Sequence, residues 1–194
     1  MDKNDALRII VDCAKEYRDN LENKNVLFIY QDKQLRPLYF ETIFEPRHFH
    51  HFTGTKLNAD KVKSATNFYE LCLDSRLSID AFQIPGDGTT ELKLRVLPNL
   101  MKIHKTSKMI GDYNGVKLKM YTDKISGGVT GCMGFVLDKS YENYYSPNTV
   151  LKEDIRDIAT NPIRIIATFT KNIGDELYTC ISYTAKGIDY TKLN

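Results

Sequence analysis

Apolar residues recur at helical spacing near the start of the chain. Ala6, Ile9, Ile10, Cys13, Ala14 and Tyr17 fall on one face, which predicts a helix from Asp5 to about Leu21 with Asn4 or Asp5 as its cap. Glu22–Asn25 is a polar break. Two apolar runs follow, Val26–Tyr30 and Leu35–Phe44, with Asp32-Lys33-Gln34 between them, the pattern of a β-hairpin. Val62, Ala65, Phe68, Tyr69 and Cys72 restore helical spacing as far as about Asp74, with Asn58 or Asp60 to cap it. Leu77–Phe82 predicts a further helical turn before the loop signal Pro85-Gly86-Asp87-Gly88. Thr89–Met109 carries Leu92, Val96, Leu100 and Ile103 on one face, and Pro98 should kink or split this third helix.

From Val116 the pattern becomes alternating. Val116–Thr122 sets Val, Leu, Met and Thr against Lys, Lys and Tyr, as a strand does. Gly128–Asp138 begins glycine-rich and turns apolar, Tyr141–Pro147 reads as an aromatic, polar loop, and Thr149–Ala159 as a short polar helix. Ile163–Thr170 and Leu177–Thr184 flank Asn172-Ile173-Gly174-Asp175, a hairpin signal. Helices and one hairpin come first and strands after, which predicts an α+β fold: a small antiparallel sheet of about four strands packed by helices. The chain of 194 residues contains no repeat, low-complexity segment or linker, so a single domain over 1–194 is expected.

Composition narrows the function little. A hydrophobic share of 42% is that of a globular chain. Lys and Arg number 27 against 25 Asp and Glu, a net charge of +2, too little for a generic nucleic-acid coat but compatible with a local basic groove. The first residues lack the apolar core of a signal peptide, and no apolar run is long enough to span a bilayer, so no membrane association is expected. Cys13, Cys72, Cys132 and Cys180 are widely spaced among apolar residues and form no CxxC pair. They are expected to be reduced, buried thiols of a cytoplasmic protein rather than zinc ligands.

The chemistry concentrates in Glu45–Leu57. His48, His50 and His51, three of the four histidines, lie there between Arg47 and Lys56, and Pro46 and Gly54 mark a loop or a broken strand end. An imidazole exchanges protons near neutral pH, and flanking cations hold phosphate. On an extended segment His48 and His50 would share a face and His51 would oppose them. With Glu45 they could bind a metal, although no second cluster supports that. A turn with partly exposed histidines is the plain alternative. HExxH, P-loop, GxGxxG and GxSxG motifs are absent, and Ser126–Gly131 reads as a bend between strands because no helix start follows it. A second polar set is C-terminal: Thr168, Thr170 and Lys171, then Tyr183, Thr184 and Lys186, which on a strand face could also be ordinary solvent-side residues.

These pieces, in order, resemble a known family. They are His51-Phe52-Thr53-Gly54, where the family usually has His-Leu-Thr-Gly; Asn67–Cys72; Lys93-Leu94-Arg95-Val96-Leu97; Tyr144–Lys152; Thr168–Lys171; and Ile181–Lys186. The chain is similar to the phage-encoded nucleases of the barnase–EndoU–colicin–RelE class, in particular the fourth phage group, from about Phe40 to Lys186. The resemblance divides the domain into an N-terminal helix and hairpin (1–39) and a nuclease core (40–186). It implies metal-independent RNA cleavage without a cofactor, in the cytoplasm of a bacterial host, by a protein carried on phages or mobile elements. Some similar proteins are anti-CRISPRs that cut the guide RNA of a CRISPR effector, so RNA or an effector–guide RNA complex is the expected partner.

The match places His51 at the family histidine. The expected reaction is attack of a ribose 2′-hydroxyl on the adjacent phosphorus, with His51 as base or acid and His50 as a second titrating group. Lys171 and Thr184 complete the expected catalytic set. Arg47, Thr53, Lys56, Tyr145, Tyr183 and Lys186 are the expected RNA contacts, through phosphate or base stacking. This joint site requires the histidine stretch to meet the C-terminal hairpin. A non-catalytic RNA- or protein-binding inhibitor on a degenerate nuclease fold is the rival expectation.

Overall fold

The computed structural model describes residues 1–117 and 120–189. Helix α1 spans Lys3–Asn20 and is capped one turn-start earlier than expected, by Asp2, whose carboxylate accepts from the N–H groups of Asn4 and Asp5. Its buried stripe is the predicted one from Ala6 to Tyr17, except that Ile9 is only half-buried. Strands β1 (Lys24–Gln31) and β2 (Pro37–Phe44) form the expected antiparallel hairpin. Beyond β2 the chain makes a short 3₁₀ turn, Pro46–His48, and helix α2, Phe49–Thr53. Strand β3 (Lys56–Leu57) pairs with β4 (Phe82–Gln83) around α3 (Ala65–Leu73), which Ser64 caps. Helix α4 (Thr89–Leu100) ends just past Pro98, and α5 is a single turn, Ile103–Thr106. Then come β5 (Met109–Tyr113), β6 (Lys124–Gly127), β7 (Cys132–Leu137), β8 (Tyr145–Leu151), the short α6 (Ile155–Ile158), β9 (Ala159–Asn172) and β10 (Cys180–Thr184).

Eight strands form one sheet in the order β1-β2-β8-β7-β6-β5-β9-β10. Because β1 also pairs with β9, from Lys24↔Asn172 to Tyr30↔Ile165, seven of them close into a barrel and β10 is added outside on β9. This overturns the expected small antiparallel sheet of about four strands. The N-terminal hairpin is part of the barrel wall, and its β1 supplies the closing seam. Strand β5 begins in the run that helical spacing had claimed through Met109. Strand β8 takes residues divided between an expected loop and an expected helix, of which only Ile155–Ile158 is helical. The strand expected at Val116–Thr122 is absent from residues 116–117 and 120–122, and 118–119 lie outside the described residues. The glycine-rich Gly128–Gly131 is a turn between β6 and β7.

The barrel interior is aromatic. Phe40 meets Phe135 edge-on at 5.3 Å and Phe28 at 6.0 Å, and Phe44 meets Phe135 at 6.3 Å. The same cluster runs out to the helices through Tyr17, Phe49, Phe52 and Tyr69, all buried. Each aromatic pair contributes about 0.5–1.5 kcal/mol beyond the area it buries. Tyr17 is the pivot: its ring touches Phe44, Phe49, Phe52 and Tyr69, and its hydroxyl donates to the Glu45 carbonyl at 2.8 Å. That bond fixes the chain at the point where it leaves the barrel for the histidine stretch.

Cys13, Cys72 and Cys132 are buried free thiols, each pushed up to about 12 first of all by burial. Cys180 departs from expectation: it is exposed, because β10 is the outermost strand and is paired along one edge only. Among the described residues no helix is long and apolar enough to cross a membrane.

Candidate active site

The histidine stretch is helical, so its side chains fan around an axis instead of alternating. Glu45 and His48 cap the 3₁₀ turn reciprocally: the Glu45 carboxylate accepts from the His48 N–H, and the Glu45 N–H donates to His48 Nδ1 at 3.1 Å. His48 is buried, and burial brings its pKa down to about 4. His50 Nε2 lies 3.0 Å from the Thr55 carbonyl, which can only accept, so Nε2 carries the proton and donates it. Its ring stands edge-on to Phe68 at 5.0 Å, and its pKa also falls to about 4, through burial and then the neighbouring His51. Both rings are therefore neutral and spoken for by the local fold.

The next four residues divide sharply. Phe52 is fully buried in the aromatic cluster. Thr53 is fully buried too: its hydroxyl donates to the His50 carbonyl at 2.9 Å, lies 2.8 Å from the Thr55 hydroxyl, and cannot meet a substrate. Gly54 ends α2 in the left-handed region, with φ of 70°, and its missing side chain leaves room for α4. A Cβ there would lie 3.0 Å from Lys93 Cδ and 3.2 Å from Thr90 Cα. Only His51 points outward.

The exposed His51 ring lines a hollow of about 440 Å³ with Arg47, Asp138, Lys139, Ser146 and Asn148. The β7–β8 connection forms the opposite wall. Arg47 donates to Glu45 Oε2 at 2.7 Å and reaches Asp138 Oδ2 at 3.5 Å, and the Tyr141 hydroxyl donates to Glu45 Oε1 at 3.2 Å. Burial opposes the charge of Asp138, but the Ser140 N–H, the Ser146 hydroxyl and Arg47 outweigh it and hold the carboxyl below its usual range. Partial burial of its ring, then the charges of Lys93 and Arg47, hold His51 below its ordinary 6.5. Lys93 reaches across Gly54 from α4 and donates to the His51 carbonyl at 3.0 Å, and burial lowers its own pKa to about 8.

The remaining expected residues lie elsewhere. Lys56 is exposed on β3. Tyr145 is half-buried, its ring 4.8 Å from that of Phe40. Lys171 lies over the Tyr178 ring at 4.6 Å and donates to the Glu176 carbonyl. Tyr183 lies under the Lys108 ammonium at 3.6 Å, Thr184 is half-buried opposite Ala167, and Lys186 is exposed beyond β10. Strand β9 is three steps from β8 around the barrel, through β2 and β1, and none of Lys171, Tyr183, Thr184 and Lys186 lines the hollow at His51. The structure gathers Arg47 and His51 and adds Asp138, Ser146, Asn148 and Lys93, which sequence reasoning did not single out. Lys93 and Asn148 stand inside two of the segments that carry the family resemblance. Asp138 had no local signal, since its meaning comes from a fold partner 91 positions away. Among the described residues no group of three or more His, Cys, Asp or Glu is placed to hold a metal ion.

An outward imidazole between an arginine and a lysine, on a polar cleft at a barrel rim, is equipment suited to handling phosphodiesters. The chain belongs to the family described as phage-Barnase-EndoU-ColicinE5/D-RelE like nuclease 4, whose model matches residues 9–187. No match was found among curated proteins or among solved structures.

Proposed function

We propose that the protein is an endoribonuclease whose reaction needs no metal, because the nucleophile is the substrate's own 2′-hydroxyl. One observation carries this reading. In His51-Phe52-Thr53-Gly54, packing, hydrogen bonding and backbone geometry account for the last three residues, while the His51 ring is left facing the cleft. His51 takes the 2′-hydroxyl proton as general base. Its lowered pKa supports that role over acid catalysis, since the imidazole is neutral at pH 7 and ready to accept. Arg47, oriented by Glu45 and Asp138, has N–H groups left for a phosphate oxygen. Tyr145 and the β9–β10 residues Lys171, Tyr183, Thr184 and Lys186 contact RNA away from the cut.

The family's phage character supports a mobile-element origin and action in the bacterial cytoplasm, and the guide RNA of a CRISPR effector is the target class to try first. The test is incubation with structured RNA and with guide RNA in EDTA, read on a gel, for the wild type and for His51→Ala. Cleavage that survives chelation and is lost in the variant supports the proposal. Cleavage abolished by EDTA and restored by a divalent ion refutes the metal-free mechanism. The net charge of +2 favours a second reading, a non-catalytic inhibitor using the same face. Binding or effector inhibition that persists in His51→Ala without any cleavage would establish it.

A further inference from the structure

The reaction above leaves one group unassigned: the acid that protonates the departing 5′-oxygen. His48 and His50 are engaged in the local fold, and Arg47 keeps its proton at any working pH. We infer that Lys93 is that general acid, an inference that rests on the endoribonuclease reading of the His51 cleft.

Three features of Lys93 support the assignment. The first is its position. Its stem crosses Gly54 where a glycine leaves room for it, and Nζ is anchored on the carbonyl of His51 itself, near enough for its charge to act on the imidazole. The second is its lack of a counter-charge. Among the described residues no carboxylate forms an ion pair with Lys93, and burial alone accounts for its lowered pKa, so the half-exposed ammonium keeps its charge free for an anion. One N–H is spent on the carbonyl and two remain. The third is its surroundings. Lys93 lines a hollow of about 340 Å³ other than that of His51, beside Leu92, Met120 and Thr149, while Asn148, next to Thr149 on β8, lines the first. On this assignment the phosphodiester reaches from the His51 cleft to Lys93, and the leaving nucleoside enters the second hollow. Burial has brought the ammonium down to about 8, so it is protonated at neutral pH yet acidic enough to give the proton up.

The step balances. His51 removes the proton of the 2′-hydroxyl, the 2′-oxygen forms its bond to phosphorus, the P–O5′ bond breaks, and a proton passes from Lys93 Nζ to O5′. The products are a 2′,3′-cyclic phosphate and a free 5′-hydroxyl. Water then restores the two protonation states.

The test compares two substrates: RNA, whose leaving alkoxide needs a proton, and a nucleoside 3′-(4-nitrophenyl phosphate), whose leaving phenolate does not. Lys93→Met should lose about 10²–10⁴-fold on RNA and stay within a few-fold of wild type on the activated ester. Lys93→Arg keeps the charge and the contact to the His51 carbonyl but cannot give up its proton, so it should behave like Lys93→Met. The wild-type rate on RNA should fall above pH of about 8, and that limb should vanish in both variants. Equal losses on the two substrates, or RNA cleavage restored by arginine, would overturn the assignment while leaving the nuclease reading intact. A wild-type protein that cleaves neither substrate would overturn both.

Discussion

Four histidines show how little a residue type says without its partners. His48 and His50 are neutral rings used as hydrogen-bonding struts, His104 is buried on α5, and of the two that line the cleft, His48 and His51, only His51 is exposed. The sequence could single out His51 as the family residue only through its match to a motif, since spacing set it opposite His48 and His50 without saying which side meets a substrate. The structure supplies the physical distinction, and it makes mutational effects separable. His51→Ala removes no core contact and should change stability by within about 1 kcal/mol while lowering RNA cleavage by about 10²–10⁴-fold. His48→Ala breaks the reciprocal cap and opens a small void, so it should lower stability by about 0.5–2 kcal/mol and affect cleavage only through disorder of the turn. Thermal melts beside initial rates check the contrast. A destabilised His51→Ala with a proportionate loss of rate would make this histidine another strut. Thr53 carries the opposite lesson: a hydroxyl beside a reactive histidine invites a substrate-binding role, but burial and three short-range hydrogen bonds assign it to the loop.

At the scale of elements, α2 is too short to be stable alone, and its five residues hold because both ends are tied. Tyr17 grips the chain ahead of it at Glu45. Behind it, Thr90 donates to the Gly54 carbonyl at 2.7 Å and Lys93 to that of His51, so α4 satisfies carbonyls that the helix end leaves free. Gly54→Ala tests this arrangement. The new methyl would need a left-handed backbone and would press on both Lys93 and the α4 backbone, costing about 1–3 kcal/mol. Cleavage should fall further than stability explains, because the displaced Lys93 stem moves its ammonium off His51. A variant with wild-type melting and wild-type rate would show that the close approach is slack. The loop signal read from Pro46 and Gly54 was correct about where the chain turns and wrong about how. Proline opens the 3₁₀ turn and glycine closes α2, the same residues serving as helix ends instead of loop punctuation. Helix α1 was legible because it buries one regular face, α3 was legible in its stripe but not in its start, which Ser64 caps in place of Asn58 or Asp60, and the first hairpin was legible as two apolar runs about a polar turn. Strands β5 and β8 were not. Each has a near partner, β6 or β7, as well as a remote one, but short strands inside mixed apolar runs carry no period of their own.

At the scale of the whole molecule, closure of the barrel was invisible because it depends on one pairing between the first strand and the ninth. Packing around the turn ahead of α2 and around α5 buries two histidines where water cannot solvate their charge, and acid should destabilise the molecule for it. His48 is brought down to about 4 by burial and then Arg47, and His104 to about 3 by burial and then Lys105 and Lys24. Both titrate near 6.5 when the chain unfolds. Between those values the unfolded chain holds protons that the folded one refuses, so stability is complete above pH 6.5 and is lost as pH falls toward 4. Each histidine subtracts at most about 1.4 kcal/mol per pH unit in that window. The carboxylates with lowered values, such as Asp138 and Asp154, titrate below it, so they leave the window to the histidines. Melting temperature should therefore fall by several degrees between pH of about 7.5 and about 5, at roughly 2–4 °C per kcal/mol for a chain of this size. His104→Leu isolates one contribution. The ring's Nδ1 is buried with no hydrogen-bond partner, so an apolar side chain of similar bulk costs little at neutral pH. The variant should gain more in melting temperature at pH 5 than at pH 7.5, flattening the profile. Parallel profiles for the two proteins would mean that His104 accepts its proton in the folded state, and that the packing of α5 against the barrel leaves room for the charge.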